Sequence, residues 1–337
     1  MNLRRPQIKW RLTFPVEVQC EYTGIPQDAY YTDLDKMIHV CDIFPERFNE
    51  ATGYRPQLSY APPRTAYEGV AALGGVIVFA RDHQPMIRNQ GRILAAPEQV
   101  DTLCAPDPWQ NQRFLQSVAW QRELEQRFPG QIGPNSLAGQ EGPVTTAGLL
   151  RGQEFFLDCL ADPQRAHRLL DVCTETYIRF YRASDAANGF TERQTIGIAD
   201  DYAGLIKPEM WPEFVLPYYQ RIIAALGPQG CHMHTELVRR EHLLLLHDIK
   251  LASLNFGEDQ YITAQDALSA LPGIPFGWHI LTVSEMQQGT PDSIRRRFLE
   301  LVGMGVSEVI SELTVATPVE NIRAFIRIGR EMEAMVI

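Results

Sequence analysis

Two histidines placed two residues apart are the first candidates for chemistry. His232 and His234 lie in the segment GCHMHTE at residues 230–236, within a mostly apolar stretch. In a β-strand, side chains two positions apart face the same side, so both imidazoles could bind one ion. The pair is incomplete by itself, because zinc in proteins takes three or four protein ligands. The alternative is that one histidine hydrogen-bonds a carboxylate and the other lines a pocket.

Adjacent carboxylates form the second candidate. Asp200 and Asp201 follow the apolar run TIGIA. They could bind a cation, or one of them could have a raised pKa and act as an acid or base. The alternative for this pair is helix capping and loop structure. Other polar or aromatic residues in or after apolar runs are predicted to line a substrate pocket: Tyr202, Glu258, Trp278, His279 and Ser311.

Alternating strands and helices must position these residues. From about residue 70, short apolar runs alternate with longer amphipathic segments, as in βα units. The predicted strands are residues 75–80, 195–200, 230–235, 251–256, 275–280 and 308–313, with a further strand and loop within 132–145. The predicted helices are residues 108–128, 144–160, 162–188, 208–226, 240–248, 290–305 and a last helix after Thr317.

This alternation predicts an α/β fold, a (β/α)8 TIM barrel over residues 66–337, with residues 1–65 as an N-terminal extension packed on it. In such a barrel the carboxyl ends of the strands meet at one face, where the chemistry takes place. The sequence has neither a GxGxxG fingerprint after a strand nor a P-loop. Nucleotide binding therefore has no direct support.

Composition narrows the class of protein. The net charge of −10 and the lack of a basic stripe argue against nucleic-acid binding. Six cysteines are scattered singly, which is typical of reduced thiols in a cytosol. The first residues lack an apolar core, and no run of eighteen apolar residues occurs. We therefore expect a soluble cytoplasmic protein without membrane or nucleic-acid partners, and its oligomeric state is left undecided.

Several long segments together resemble a known superfamily. They are GPVTTAGLLRGQEFFLDCLADPQRAHRLL (142–170), IADDYAGLIKPEMWPEFVLPYYQRI (198–222), GCHMHTE, GTPDSIRRRFLELV and ATPVENIRAFI. In order and spacing they resemble the uroporphyrinogen decarboxylase superfamily over roughly residues 65–337. The resemblance implies a distorted (β/α)8 barrel and one of two activities. One branch decarboxylates uroporphyrinogen without a cofactor, and the other consists of zinc methyltransferases acting on corrinoids and thiols.

The match favours the methyltransferase branch. The decarboxylase branch has an arginine-rich amino-terminal segment that is not present here, and Arg81, Arg88 and Arg92 have a different spacing. The methyltransferase branch has a His-x-Cys pair and a second cysteine. His232 matches the family histidine and His234 replaces the first cysteine. At the second cysteine position stands Ser311, next to Glu312. Imidazole ligands would make the metal a stronger Lewis acid than thiolates do.

Three hypotheses follow. The leading one is a metal-dependent methyltransferase-like enzyme that moves a methyl group to or from a corrinoid, with a small-molecule substrate and a corrinoid protein as partner. Zn²⁺, or another divalent transition metal, would be held by His232, His234 and Glu312, with Asp200 or Asp201 as acid, base or orienting group. The second is a cofactor-free decarboxylase of uroporphyrinogen or a related polycarboxylate. The third is a non-catalytic tetrapyrrole- or corrinoid-binding protein.

Overall fold

The computed structural model describes residues 8–133 and 136–334. The strands are β1 (Lys9–Thr13), β2 (Val76–Val78), β3 (Met86–Arg88), β4 (Thr195–Ala199), β5 (Gly230–His234), β6 (Leu251–Asn255), β7 (Phe276–Ile280) and β8 (Glu308–Glu312). The helices are α1 (Val16–Thr23), α2 (Gln27–Thr32), α3 (Leu34–Thr52), α4 (Glu68–Ala72), α5 (Pro97–Thr102), α6 (Gln112–Arg127), α7 (Pro143–Arg151), α8 (Gln153–Ala161), α9 (Pro163–Ala187), α10 (Trp211–Phe214), α11 (Leu216–Leu226), α12 (Arg240–Leu245), α13 (Ala264–Ala270), α14 (Pro291–Met304) and α15 (Val319–Ala334). Short 3₁₀ turns lie at Pro108–Gln110, Asp201–Leu205, Pro208–Met210 and Leu246–Asp248, and a π-helical turn at Thr282–Gln287.

Five of the predicted strands are confirmed as β4 to β8. The predicted strand at 75–80 contains β2, but β2 pairs antiparallel with β3 in a hairpin. The strand predicted within 132–145 is wrong for the residues that the structure describes there, which form only an isolated bridge between Gln140 and Tyr67. Residues 134 and 135 lie outside the described part. Strand β1 was not foreseen, because the first 65 residues lack a clear hydrophobic period.

The chain forms two compact units. The terminal unit comprises the described residues of Met1–Leu58, Arg81–Gln84 and Asn255–Ile337. In it β8 lies between β1 and β7, and both pairings are parallel. Trp10 of β1 packs edge-on against Phe325 of α15. A Cβ on Gly329 would lie 2.5 Å from the Trp10 ring, so this contact requires glycine.

The central unit comprises the described residues of Ser59–Ala80 and Pro85–Leu254. In it β4 and β5 pair in parallel, and β6 adjoins β5. The register aligns Gly197 with His232 and Ala199 with His234. One face of this pair of strands is buried through Ile196, Ile198, Cys231 and Met233. Since side chains alternate along a strand, both histidines lie on the opposite, more open face, as predicted.

These elements confirm the α/β class with parallel strands connected through helices. Six strands belong to the parallel arrangement, three in each unit, whereas β2 and β3 form the separate hairpin. The arrangement is that of a TIM-barrel-like fold that departs from eight regular repeats. Among the described residues, none of the helices combines the length and apolarity needed to cross a membrane.

Candidate functional site

His232 lies between two hydroxyl groups from neighbouring strands. Its Nδ1 is 2.8 Å from Oγ of Ser253 on β6, and its Nε2 is 3.3 Å from Oγ1 of Thr195 on β4. Both ring nitrogens are therefore within hydrogen-bonding distance of a side-chain hydroxyl. These contacts fix the orientation of the imidazole on the open face of β5.

His234 is directed towards carboxylates. Its Nε2 lies 3.3 Å from Oδ1 of Asp201 and 3.8 Å from Oε1 of Glu236. About a third of each of these side chains is exposed, so the group reaches solvent. Burial raises the pKa of Asp201, and the nearby His234 partly opposes that shift. The result is an accessible histidine–carboxylate pair at the carboxyl ends of β4 and β5.

Asp200 has a different environment from Asp201. Its side chain is completely buried and accepts hydrogen bonds from the backbone N–H groups of Thr145 (2.6 Å) and Val144 (3.2 Å) at the start of α7. A third bond comes from the hydroxyl of Tyr219 (3.0 Å). Burial raises the pKa of Asp200 and these hydrogen bonds lower it, with a net rise to about 6. The structure thus gives Asp200 the capping role that the sequence left open.

Gly142 allows helix α7 to start next to Asp200. Its N–H donates to the carbonyl of Ala199 at the end of β4. A Cβ at this position would lie 2.5 Å from the Asp200 side chain. Pro143 follows as the first residue of α7, where its missing N–H is tolerated. The glycine–proline pair therefore brings the amino terminus of a helix against a buried carboxylate.

Glu141 is a site residue that the sequence analysis missed. Burial, and after it the charges of Asp201 and Asp200, together raise its pKa to about 8. Its Oε2 is buried and has no hydrogen-bond partner among the described residues. The available signal was an acidic residue directly before the Gly-Pro helix start. A local sequence pattern could not show that Glu141 lies near carboxylates about 60 positions further along the chain.

Tyr202 also belongs to the central unit. Its N–H donates to Oγ1 of Thr145 (2.9 Å), and its hydroxyl accepts a hydrogen bond from Nε2 of Gln90 (3.3 Å). Its ring lies 6.5 Å from that of Phe156 on α8. Tyr202 is thus held beside the Asp200–Asp201 turn, and its predicted contact with substrate stays a prediction.

The terminal unit contains the remaining predicted site residues. The N–H of Thr282 donates to Oε1 of Glu258 (2.5 Å), and its hydroxyl donates to the carbonyl of Glu312 (3.3 Å). Glu258 and Glu312 are therefore brought together around Thr282. Substrate and metal binding by these two glutamates stay predictions.

The predicted aromatic and hydroxyl residues of the terminal unit are mostly buried. Trp278 packs against Phe256 and Phe276, and His279 is nearly buried. Ser311 is completely buried, and it faces the side of β8 opposite to Glu312 because adjacent residues alternate. The two neighbours therefore do not present their side chains to one space.

The arrangement does not fit a bound metal as it stands. Among residues 8–133 and 136–334, no three His, Cys, Asp or Glu side chains are grouped as a metal site. Both nitrogens of His232 are already paired with hydroxyls, whereas a ligand must leave one nitrogen for the ion. The metal site at His232, His234 and Glu312 stays a prediction.

Comparisons with known proteins agree with this fold. The sequence profile of the uroporphyrinogen decarboxylase (URO-D) family matches residues 69–332. A methylated-thiol–coenzyme M methyltransferase of Methanosarcina mazei is 28% identical over 223 residues, 62% of this chain and 56% of that protein. A uroporphyrinogen decarboxylase of Psychromonas ingrahamii is 24% identical over 160 residues, 46% of this chain and 43% of that protein. The chain thus matches only about half the length of these curated relatives.

A solved structure supports the fold over nearly the whole chain. A methyltransferase from Methanosarcina mazei superposes with a TM-score of 0.71 at 19% sequence identity. The match covers 98% of this chain and 95% of the other. At this identity the likeness establishes the fold and leaves the activity to be argued from the site.

Proposed function

Because the chain belongs to the uroporphyrinogen decarboxylase family, we propose that it is a methyltransferase-like enzyme that moves a methyl group to or from a corrinoid carried by a partner protein. The methyltransferase relative and the structural neighbour support this choice. A small methyl donor or acceptor would bind near His234. Zinc and a cytoplasmic location stay predictions from the sequence.

The negative charge around His234 is the main support for methyl transfer. Asp201 and Glu236 lie near the accessible His234 in the central unit, and the adjacent Asp200 is buried. A tetrapyrrole with several carboxylates would be repelled by this group, since like charges at close range disfavour each other. A neutral methyl donor or acceptor meets no such repulsion. The site therefore favours methyl transfer over decarboxylation of a polycarboxylate.

Asp200, Asp201 and His234 would have different roles in positioning and proton transfer. Oδ1 of Asp201 lies 3.3 Å from Nε2 of His234, and its negative charge would favour a proton on that nitrogen, which leaves Nδ1 able to accept another. Asp200 acts as a positioning residue, because its bonds to α7 hold the turn that carries Asp201. His234 would then take up or release the proton that accompanies methyl transfer. A corrinoid bound nearby would supply the methyl-carrying centre as a substrate.

A direct assay tests this function. Purified protein would be incubated with methylcobalamin and a thiol, and separately with free cob(I)alamin and a methyl donor, while the corrinoid absorbance is followed. We expect transfer by the wild type, a large loss in His234→Ala, and no loss in the exposed control His39→Ala. Decarboxylation of uroporphyrinogen without methyl transfer would contradict the proposal. Corrinoid binding without transfer, unaffected by His234→Ala, would support a binding protein instead.

A further inference from the structure

Glu141 is fixed by its backbone neighbours. Gln140 before it forms a bridge with Tyr67, and Gly142 after it donates its N–H to Ala199 at the end of β4. The carbonyl of Glu141 accepts a hydrogen bond from Oγ1 of Thr146 (3.1 Å) in α7. A side chain on such a fixed segment is held in place by the scaffold, as acid–base catalysis requires.

Among the residues that the structure describes, the charged groups that act most on Glu141 are carboxylates. The carboxyl groups of Asp200 and Asp201, which follow β4, raise the pKa of Glu141, and the charge of Glu141 in turn raises the pKa of Tyr67. The nearest histidine reached through this cluster, His234, is paired with Asp201 and lies near Glu236. An ionised Glu141 would therefore add a third negative charge to Asp200 and Asp201.

The buried oxygen of Glu141 strengthens this conclusion. Its Oε2 has no hydrogen-bond donor among the described residues, and an unpaired buried carboxylate oxygen is costly. A neutral carboxyl group avoids both the repulsion and the unpaired charge. The raised pKa of about 8 agrees with this geometry. Glu141 is therefore a carboxylic acid that keeps its proton near neutral pH.

Asp200 and Asp201 have different surroundings from Glu141 and are less suited to donate a proton. All the described partners of the Asp200 carboxylate are donors from α7 and Tyr219, so it is already satisfied. Asp201 faces His234. Carboxyl groups whose environments separate their pKa values commonly divide into an acid and a base. Glu141, with its unpaired buried oxygen, has the environment of a proton donor, whereas Asp201 lies beside a histidine.

We propose that Glu141 donates its proton to the leaving oxygen of the methyl donor, so that the donor is a methyl ether. This inference rests on the proposed methyl transfer. The electron pair of the acceptor, a reduced corrinoid, forms the new bond to the methyl carbon, and the electrons of the broken C–O bond stay on oxygen. The proton of Glu141 converts that oxygen into an alcohol or phenol, and water then reprotonates the carboxylate.

The leaving group explains why an acid is needed. A thiol has a pKa of about 8.5, so a thiolate can leave without a proton near neutral pH. A phenol has a pKa of about 10, and an aliphatic alcohol is a weaker acid still, so their anions are poor leaving groups. A fixed proton donor contributes roughly 10²–10⁴-fold to such a step. The acid therefore serves an ether better than a methylated thiol.

The test compares two methyl donors with free cob(I)alamin as acceptor. The probes are 2-methoxyphenol, a methyl ether, and thioanisole, a methylated thiol (a sulfide) whose thiophenol leaving group is a stronger acid than the phenol. We expect Glu141→Gln to lower kcat for the ether by at least about 100-fold with little change in KM, and to affect the sulfide much less. The exposed control Glu154→Gln should match the wild type. Ether cleavage that persists in Glu141→Gln would overturn the inference.

A second measurement does not depend on activity. Infrared spectra of the wild type should show a protonated carboxyl band that disappears with a midpoint near pH 8, as the pKa of Glu141 requires. The band should be missing in Glu141→Gln and retained in Glu154→Gln. A band unchanged in Glu141→Gln would overturn the assigned protonation. If the band behaves as expected but the wild type transfers methyl from neither donor and in neither direction, the proposed function itself fails.

Discussion

Oδ1 of Asp201 lies 3.3 Å from Nε2 of His234, across the ends of two neighbouring parallel strands. The preceding residue, Asp200, turns into the interior and caps α7. The two adjacent carboxylates therefore differ in role. Asp201 reaches solvent, whereas Asp200 holds α7 in place. This separation supports a catalytic role for Asp201 and a positioning role for Asp200.

Removing the charge of Asp201 tests the pair. Asp201→Asn keeps the shape of the side chain but no longer stabilises protonated His234, so we expect kcat for methyl transfer to fall by roughly 10²-fold or more. The NMR signals of the His234 ring nitrogens should report a changed tautomer. The exposed control Asp248→Asn should leave both unchanged. An Asp201→Asn variant with wild-type rates would refute the role of the pair.

Asp200 should matter first for stability. Asp200→Ala removes the acceptor for two helix N–H groups and for Tyr219, and leaves a buried gap. We expect the free energy of unfolding to fall by about 2–4 kcal/mol, measured by urea denaturation. Tyr219→Phe removes only one of these bonds and should cost about 1 kcal/mol. Equal losses in the two variants would contradict the capping role.

Gly142 is expected to tolerate no larger residue. In Gly142→Ala the new Cβ would meet the Asp200 side chain at 2.5 Å, so α7 or Asp200 must move. We expect a loss of about 1–3 kcal/mol in the free energy of unfolding. Gly133→Ala is the matched control, because no atom lies within 4 Å of its new Cβ. Similar unfolding curves for both variants would show that the close approach is not maintained.

The raised pKa of Glu141 predicts a pH dependence of stability. The folded protein keeps a proton that the unfolded chain releases between pH 4.5 and about 8. The contribution of this group is therefore complete below 4.5 and is lost as the pH rises through about 8, at up to about 1.4 kcal/mol per pH unit. Over this range, Tm should fall more steeply in the wild type than in Glu141→Gln. Parallel curves for the two proteins would contradict the shift.

The metal predicted from the sequence can be tested by elemental analysis. Protein purified without chelator should contain zinc or another divalent metal if His232 and His234 are ligands, and His232→Ala should lose it. Binding would require His232 to give up Ser253 or Thr195. His39→Ala, in an exposed histidine, is the control. Absence of metal from both the wild type and His232→Ala would rule out the predicted centre.

Local residue order was enough to predict most of the strands in the parallel sheet. The apolar runs of β4 to β8 predicted their strands, and the period of two placed His232 and His234 on one face. The long segments resembling the family predicted the fold that the comparisons confirm. These features follow from near neighbours in the chain, because strand alternation and helix starts are set by local residue order.

The contacts of the site residues, and the charges around them, depend on the tertiary structure. It paired His234 with Asp201 and His232 with hydroxyls, and it placed Glu141 against carboxylates from a distant strand end. It also paired β1 with β8, almost 300 residues apart in the chain. The reason is physical: a pKa depends on burial and on charges brought close through space, and long-range packing creates both.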